Sequence, residues 1–293
     1  MKLYKILLKV SLYLSIKFFN LRLPLPYVLY NFLYKKFILR IQNKNEDILN
    51  FEKYGFSKLN IDFLDLIEKY DLKKRKVVQK KINNHRTYFF LDKKYEKLFQ
   101  NDLLKILNPL IKDLEDYFNI PVYLISYRAF RIEHFNYMDN KDLEIYANKF
   151  HNDGYVMNYF KIFVNLEDIS HDDGPLHLIS KMNTKRFITA SNYKNRDNYN
   201  EKFDKELIFK NTGKKGSSLI FSPSLCFHKA GVPNDHRDTI QLVLAALPKD
   251  KKKFCNNDIN IFDDNHELIS LTKPYGFINS IKLFIKNFAI KYI

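Results

Sequence analysis

The chain has 293 residues, 46% hydrophobic and 16% aromatic, which is length and apolar surface enough for a full-sized core and excludes whole-chain disorder. Its 49 Lys and Arg against 33 Asp and Glu give a formal charge of +16, but with 26 Phe, 20 Tyr and no Trp the excess reads as genome-wide compositional bias, so nucleic acid is not the expected partner. Two cysteines, Cys226 and Cys255, exclude a disulfide framework and point to a reducing, cytoplasmic setting.

Residues 1–44 form an apolar, basic N-terminal segment. Lys5, Lys9 and Lys17 interrupt its first stretch, so no uninterrupted span for a bilayer is available, and no small-residue cleavage site follows. Pro24 and Pro26 close it. Residues 45–118 read as mainly helical. Asn60 to Glu68 carries an apolar stripe, and Leu98 to Phe118 repeats it through Leu103, Leu104, Ile106, Leu107, Leu110, Ile111 and Leu114, with a kink expected at Asn108-Pro109. The basic run from Lys73 to Lys81 between them reads as a solvated face.

From Pro121 the texture changes to short β-branched and aromatic runs, at 122–135, 155–166, 176–179, 217–221, 225–229 and 239–247, separated by Gly, Pro, Asn and Asp. Several short strands with turn signals suggest an antiparallel sandwich or barrel over 120–248. The polar stretch 190–212 interrupts it and is expected as a mobile surface excursion, a lid being one use for it. Five of the seven glycines (Gly154, Gly174, Gly213, Gly216 and Gly231) fall in this half, where backbone geometry is therefore demanding. Residues 249–293 form a C-terminal extension. There Phe277, Ile278, Ile281, Phe284, Ile285, Phe288 and Tyr292 recur at helical spacing, with Lys282, Lys286 and Lys291 between them. Both ends suit either basic helices lying on the inner face of an anionic membrane or helices packed over the core; the second is preferred.

The sharpest local feature is His151-Asn152-Asp153. On extended backbone, residues i and i+2 share a face, so an imidazole and a carboxylate converge as two of the three ligands of a 2-His-1-carboxylate triad. The third ligand must come from elsewhere, and His228 stands out, after the apolar run from Leu219 and just before Gly231. Arg237 and Thr239 then share one face at the start of a core strand, where a guanidinium and a hydroxyl can clamp a carboxylate. Each feature alone has a plainer reading: a surface His–Asp pair, and a rim arginine paired with Asp235 or Asp238. One of Tyr127, Arg128 and Arg131, or Asn165, is a further candidate for the cavity wall. His171 and His236 read as loop residues, His134 as a weak cavity candidate, and His85 and His266 have no discernible partners.

In order and spacing, His151-x-Asp153, His228 and Arg237-x-Thr239 resemble the iron(II)- and 2-oxoglutarate-dependent oxygenases. The strand from Lys161 ending in Glu167-Asp168, the acidic turn through Asp172-Asp173, the following Gly174-Pro175-Leu176 and the run Gly216 to Phe221 are similar to the phytanoyl-CoA dioxygenase branch. The resemblance covers roughly 120–248. It departs at Ile179 to Thr184, where that branch continues into Pro-Gly-Ser-His; the usual further histidine is missing, and His177 is not placed to replace it.

The resemblance implies an α+β fold with a mainly β core: a double-stranded β-helix, or jelly roll, with N-terminal helices and a C-terminal amphipathic helix. It implies a single oxygenase domain over 45–248, helical in 45–118, and Fe(II) and 2-oxoglutarate as cofactors. His151, Asp153 and His228 would hold the metal, leaving three positions for the 2-oxo acid end of the cosubstrate and dioxygen; Arg237 and Thr239 would hold the distal carboxylate. Oxidative decarboxylation then yields succinate, carbon dioxide and an oxidant for an unactivated C–H bond of a small-molecule, lipid or glycan substrate. Related halogenases vacate the carboxylate position, so Asp153 favours hydroxylation. The alternatives are a non-catalytic jelly-roll binding protein and a basic membrane-surface binding protein.

Overall fold

A computed structural model describes residues 45–71, 78–83, 86–91, 93–118, 121–135, 147–153, 159–191 and 203–246. The terminal segments 1–44 and 249–293 expected above lie outside these residues, as do 192–202 of the expected lid. In chain order the elements are α1 (Glu46–Tyr54), β1 (Phe56–Leu59), α2 (Leu64–Tyr70), β2 (Val78–Asn83), β3 (Arg86–Phe90), α3 (Lys93–Phe118), β4 (Val122–Glu133), β5 (Tyr159–Asn165), β6 (Leu176–Ile179), α4 (Lys181–Ser191), a 3-10 turn (Lys205–Leu207), β7 (Ile208–Lys210), β8 (Ser218–Phe221), β9 (Phe227–Ala230) and β10 (His236–Ala246). None of the described helices is long and apolar enough to cross a membrane.

The strands make two antiparallel sheets. The larger runs β1-β8-β5-β10-β4-β3-β2 and the smaller β7-β6-β9. His151 adds a further strand position beside β9 through a bridge to His228, with reciprocal backbone hydrogen bonds of 3.1 and 2.8 Å. From β4 onward the chain changes sheet at every step but β6 to β7, and the order β8-β5-β10-β4 facing β7-β6-β9-His151 is that of a double-stranded β-helix. The fold is α+β with a mainly β core.

Alternation along the strands sorts side chains into separate cores. Ile240, Leu242 and Leu244 of β10, with Ile162 and Val164 of β5 and Tyr127 of β4, face outward against Phe99, Leu103, Leu107, Leu110 and Leu114 of α3. Phe130, Ile132, Phe163, Leu219 and Phe221 face inward and meet Leu176 and Leu178 of the smaller sheet. On the far side of that sheet, Ile179 and Phe227 pack against Phe150 and against Ile188 of α4. The inside of the jelly roll is therefore lined by 161, 163 and 165 of β5 and 237, 239 and 241 of β10.

Two sequence expectations are corrected. The region 45–118 contains strands as well as helices: β1 pairs with β8, and β2 and β3 extend the larger sheet beyond β4. Each is six residues or shorter, too brief to compete with the helical periodicity around it. Within the expected lid, 208–210 is β7, paired with β6. Helix α3 runs unbroken through Pro109, and Leu104 lies exposed on its solvent side.

Candidate metal centre

His151 and His228 reach the site from backbone segments joined by their own bridge, which sets the two rings with centroids 4.3 Å apart. Both are buried, at 3% and 6% exposure. His151 Nδ1 lies 2.8 Å from the Lys149 carbonyl and His228 Nδ1 3.1 Å from the Cys226 carbonyl. A carbonyl only accepts, so each Nδ1 carries the proton and each Nε2 presents a lone pair. The Asp153 amide donates to the Pro223 carbonyl at 2.8 Å, and Asn152 Nδ2 to the Ser224 carbonyl at 3.2 Å, tying the intervening residue to the loop before β9.

The spacing of two along extended chain then brings the Asp153 carboxylate to the imidazoles. Oδ1 is 3.6 Å from His151 Nε2 and Oδ2 is 3.8 Å from His228 Nε2. One ligand atom from each of the three residues lies within 4.8 Å of the others. Cis ligands on an octahedral ion with bonds of about 2.1 Å sit about 3 Å apart, so small side-chain adjustments close the set on a metal. Two imidazoles with fixed tautomers and one carboxylate fit a divalent first-row ion. Burial pushes the Asp153 carboxyl upward, but the Lys161 ammonium beside it, joined by the two histidines only when these are protonated, outweighs it and holds the group well below the usual carboxylate range. Lys161 Nζ is 2.7 Å from Oδ2.

A second acidic cluster, Glu167, His236 and Asp238, has its donors otherwise engaged. Arg131 takes both Asp238 oxygens at 2.8 and 2.9 Å, Glu167 Oε1 accepts from the Asp238 amide at 2.9 Å, and His236 Nδ1 is 2.6 Å from Asp235.

Arg237 and Thr239 lie on the inward face of β10, at 3% and 2% exposure. Asp238 pairs with Arg131 and Asp235 with His236. An Arg237 Nη1 hydrogen donates to the Gly174 carbonyl; a guanidinium carries five N–H groups in a planar fork. Gly174, at φ 59°, meets Gly231 so closely that a Cβ on Gly231 would lie 2.7 Å from the Gly174 carbonyl carbon. The two glycines let the strand ends close around the arginine. The Thr239 hydroxyl has no hydrogen-bond partner among the described residues. Across the sheet from it, Asn165 donates to Ser217 Oγ at 3.1 Å.

The three candidates on β4 separate by parity. Tyr127 belongs to the outer core, its ring 5.1 Å from Phe99, and Arg131 is the outward partner of Asp238, whereas Arg128 shares the inward face of Phe130 and Ile132. His134 is exposed with Nδ1 on the Pro233 carbonyl, and His171 is exposed. His85 and His266 fall outside the described residues. His177 points away from the metal site; burial first, then Lys229, Lys210, Arg237 and His171, push its pKa down to about 4. The residue that sequence reasoning missed is Lys161. The available signal was its parity with Phe163 and Asn165.

The chain matches no known family profile and no curated protein. Among solved structures it is similar to HygX from Streptomyces hygroscopicus with nickel and 2-oxoglutarate bound (15% identity, 71% of this chain and 88% of that chain covered, TM-score 0.46). It is similar to EctD from S. alaskensis with bound Fe (14%, 72% and 81%, 0.46). A third is SnoN, a non-heme alpha-ketoglutarate-dependent epimerase from nogalamycin biosynthesis (12%, 68% and 81%, 0.44). At these identities the functional reading rests on the chain's own residues.

Proposed function

We propose that the chain is an iron(II)- and 2-oxoglutarate-dependent dioxygenase whose active unit spans 45–248 and which hydroxylates an unactivated C–H bond of a small organic substrate. The observation that carries the reading is the convergence of two Nε2 lone pairs and one ionised carboxylate inside a jelly roll. Iron(II) held there supplies dioxygen activation coupled to decarboxylation of the 2-oxo acid.

In this reading His151, Asp153 and His228 bind the ion from one side and leave the opposite side to the cosubstrate and dioxygen. Arg237 holds the distal carboxylate of 2-oxoglutarate, and the Thr239 hydroxyl donates a further hydrogen bond to it. Thr239 lies opposite Asn165 and Val243 opposite Lys161. The two levels are thus about 13 Å apart along β5, a span that suits an extended five-carbon diacid together with the side chains at either end. Phe130, Phe163 and Phe221 form a buried apolar cluster on the same inward side of the sheet. Asp153 fills the position that would admit a halide, which favours hydroxylation.

Anaerobic addition of iron(II) and then 2-oxoglutarate to the full chain is expected to give a weak visible metal-to-ligand charge-transfer band, and His228→Ala to lose it. No band in the wild-type protein overturns the reading. Succinate release across a small-molecule library then identifies the substrate, because partial fits still consume cosubstrate.

A further inference from the structure

We infer that Lys161 is a positioning residue of the metal centre, its ammonium holding Asp153 Oδ2 so that Oδ1 is the ligand atom. The inference rests on the dioxygenase reading of the same site. Lys161 is on the inward side of β5, sharing parity with Phe163 and Asn165, while Ile162 and Val164 face the outer core. Its sheet neighbours are Val243 and Phe221, so the stem runs along apolar wall. The side chain is only 13% exposed and that of Asp153 16%, with 2.7 Å between Nζ and Oδ2. A lysine turned into a protein interior loses its hydration, and such placement is sustained by a fixed anionic partner. Here that partner is the single carboxylate of the proposed ligand set.

The consequence for the metal is geometric. A carboxylate has two oxygens and can bind an ion through one or both. A donor fixed on Oδ2 keeps Asp153 a one-atom ligand through Oδ1, which lies 3.6 Å from His151 Nε2, and so preserves three open positions. The hydrogen bonds from His151 and His228 to carbonyls do the same for the imidazoles. Each of the three ligands then has its own orienting partner: Lys149 O, Cys226 O and Lys161 Nζ. The ammonium is itself a cation, so a rival role is that of a competitor standing in the ion's place. The two roles differ in sign: removing a competitor tightens metal binding, whereas removing an orienting donor weakens it.

The test is Mn2+ binding by calorimetry to the full-length wild-type chain, Lys161→Met and Lys161→Arg. Lys161→Met is expected to bind roughly tenfold to a hundredfold more weakly. Lys161→Arg, which keeps charge and donors, is expected to recover most of the loss. With Co2+ bound, the visible ligand-field bands of Lys161→Met should differ from those of the wild type, and those of Lys161→Arg should match it. Unchanged or tighter Mn2+ binding in Lys161→Met overturns the inference and leaves the dioxygenase reading standing. So does Lys161→Arg binding as weakly as Lys161→Met, which marks a role in packing alone. Failure of the wild type to take up Mn2+ overturns both. If Lys161→Met does not fold by circular dichroism, Lys161→Gln takes its place, with several-fold weakening expected and unchanged affinity overturning the inference.

Discussion

At Asp153, burial and charge act in opposite directions. Desolvation alone favours a neutral acid, while the Lys161 ammonium favours the anion and, with the histidines when protonated, prevails. Arg237 has a double duty, since its guanidinium both closes the loop at Gly174 and, in the proposed function, meets the cosubstrate. Arg237→Ala is expected to raise the 2-oxoglutarate concentration needed for half-maximal band intensity, by the loss of a charged pair worth about 2–5 kcal/mol if buried. An unchanged requirement in that titration would remove Arg237 from the clamp. His151 and Asp153 were legible in the sequence because their relation is local, a spacing of two on extended chain. Bringing His228 to them is a tertiary event, and only its glycine-bounded context and the ordered resemblance marked it. For Lys161 the one signal was its parity with Phe163 and Asn165, which says that the three share a face but not that the face turns inward.

Among the elements, α4 bears most directly on the site. Thr184, 2% exposed, accepts the Phe227 amide hydrogen at 2.8 Å and donates to the Ile179 carbonyl at 3.2 Å, pinning the start of β9 beside His228. Thr184→Val keeps the shape but strands a buried amide and a carbonyl. It should lower unfolding free energy by about 1–3 kcal/mol in urea titration, whereas Thr184→Ser should stay close to wild type. Helix α3 was legible because Phe99, Leu103, Leu107, Leu110 and Leu114 keep helical period through the middle of its 26 residues. Strand β4 was legible for its length and β-rich composition, and β5 in part. β1 and β7 were not: at four and three residues they are held by pairing to β8 and β6, information absent from their own sequences.

For the whole molecule, the shift from helical to β texture at Pro121 foretold the division between the outer layer and the jelly roll, but not that β1, β2 and β3 would cross it to widen the sheet. Strand order depends on long-range pairing, which no local period encodes. The neutral His177 makes the fold sensitive to acid. Its folded pKa of about 4 lies below the ordinary imidazole value of 6.5, so the unfolded chain binds more protons between those values. Its contribution to stability is complete above pH 6.5 and is lost as pH falls toward 4. The thermal midpoint is expected to drop over that window, and His177→Asn to flatten the drop; parallel profiles for the two proteins would refute the assignment. The reciprocal backbone bonds between His151 and His228 carry a last consequence. Peptide groups, not side chains, fix the gap between the two nitrogen donors, so that half of the grip is a rigid platform made by chain pairing. The acidic corner enters that platform by its side chain alone, so in the proposed function an exchange such as Asp153→Gly would change what joins the ion while leaving its two-nitrogen seat in place.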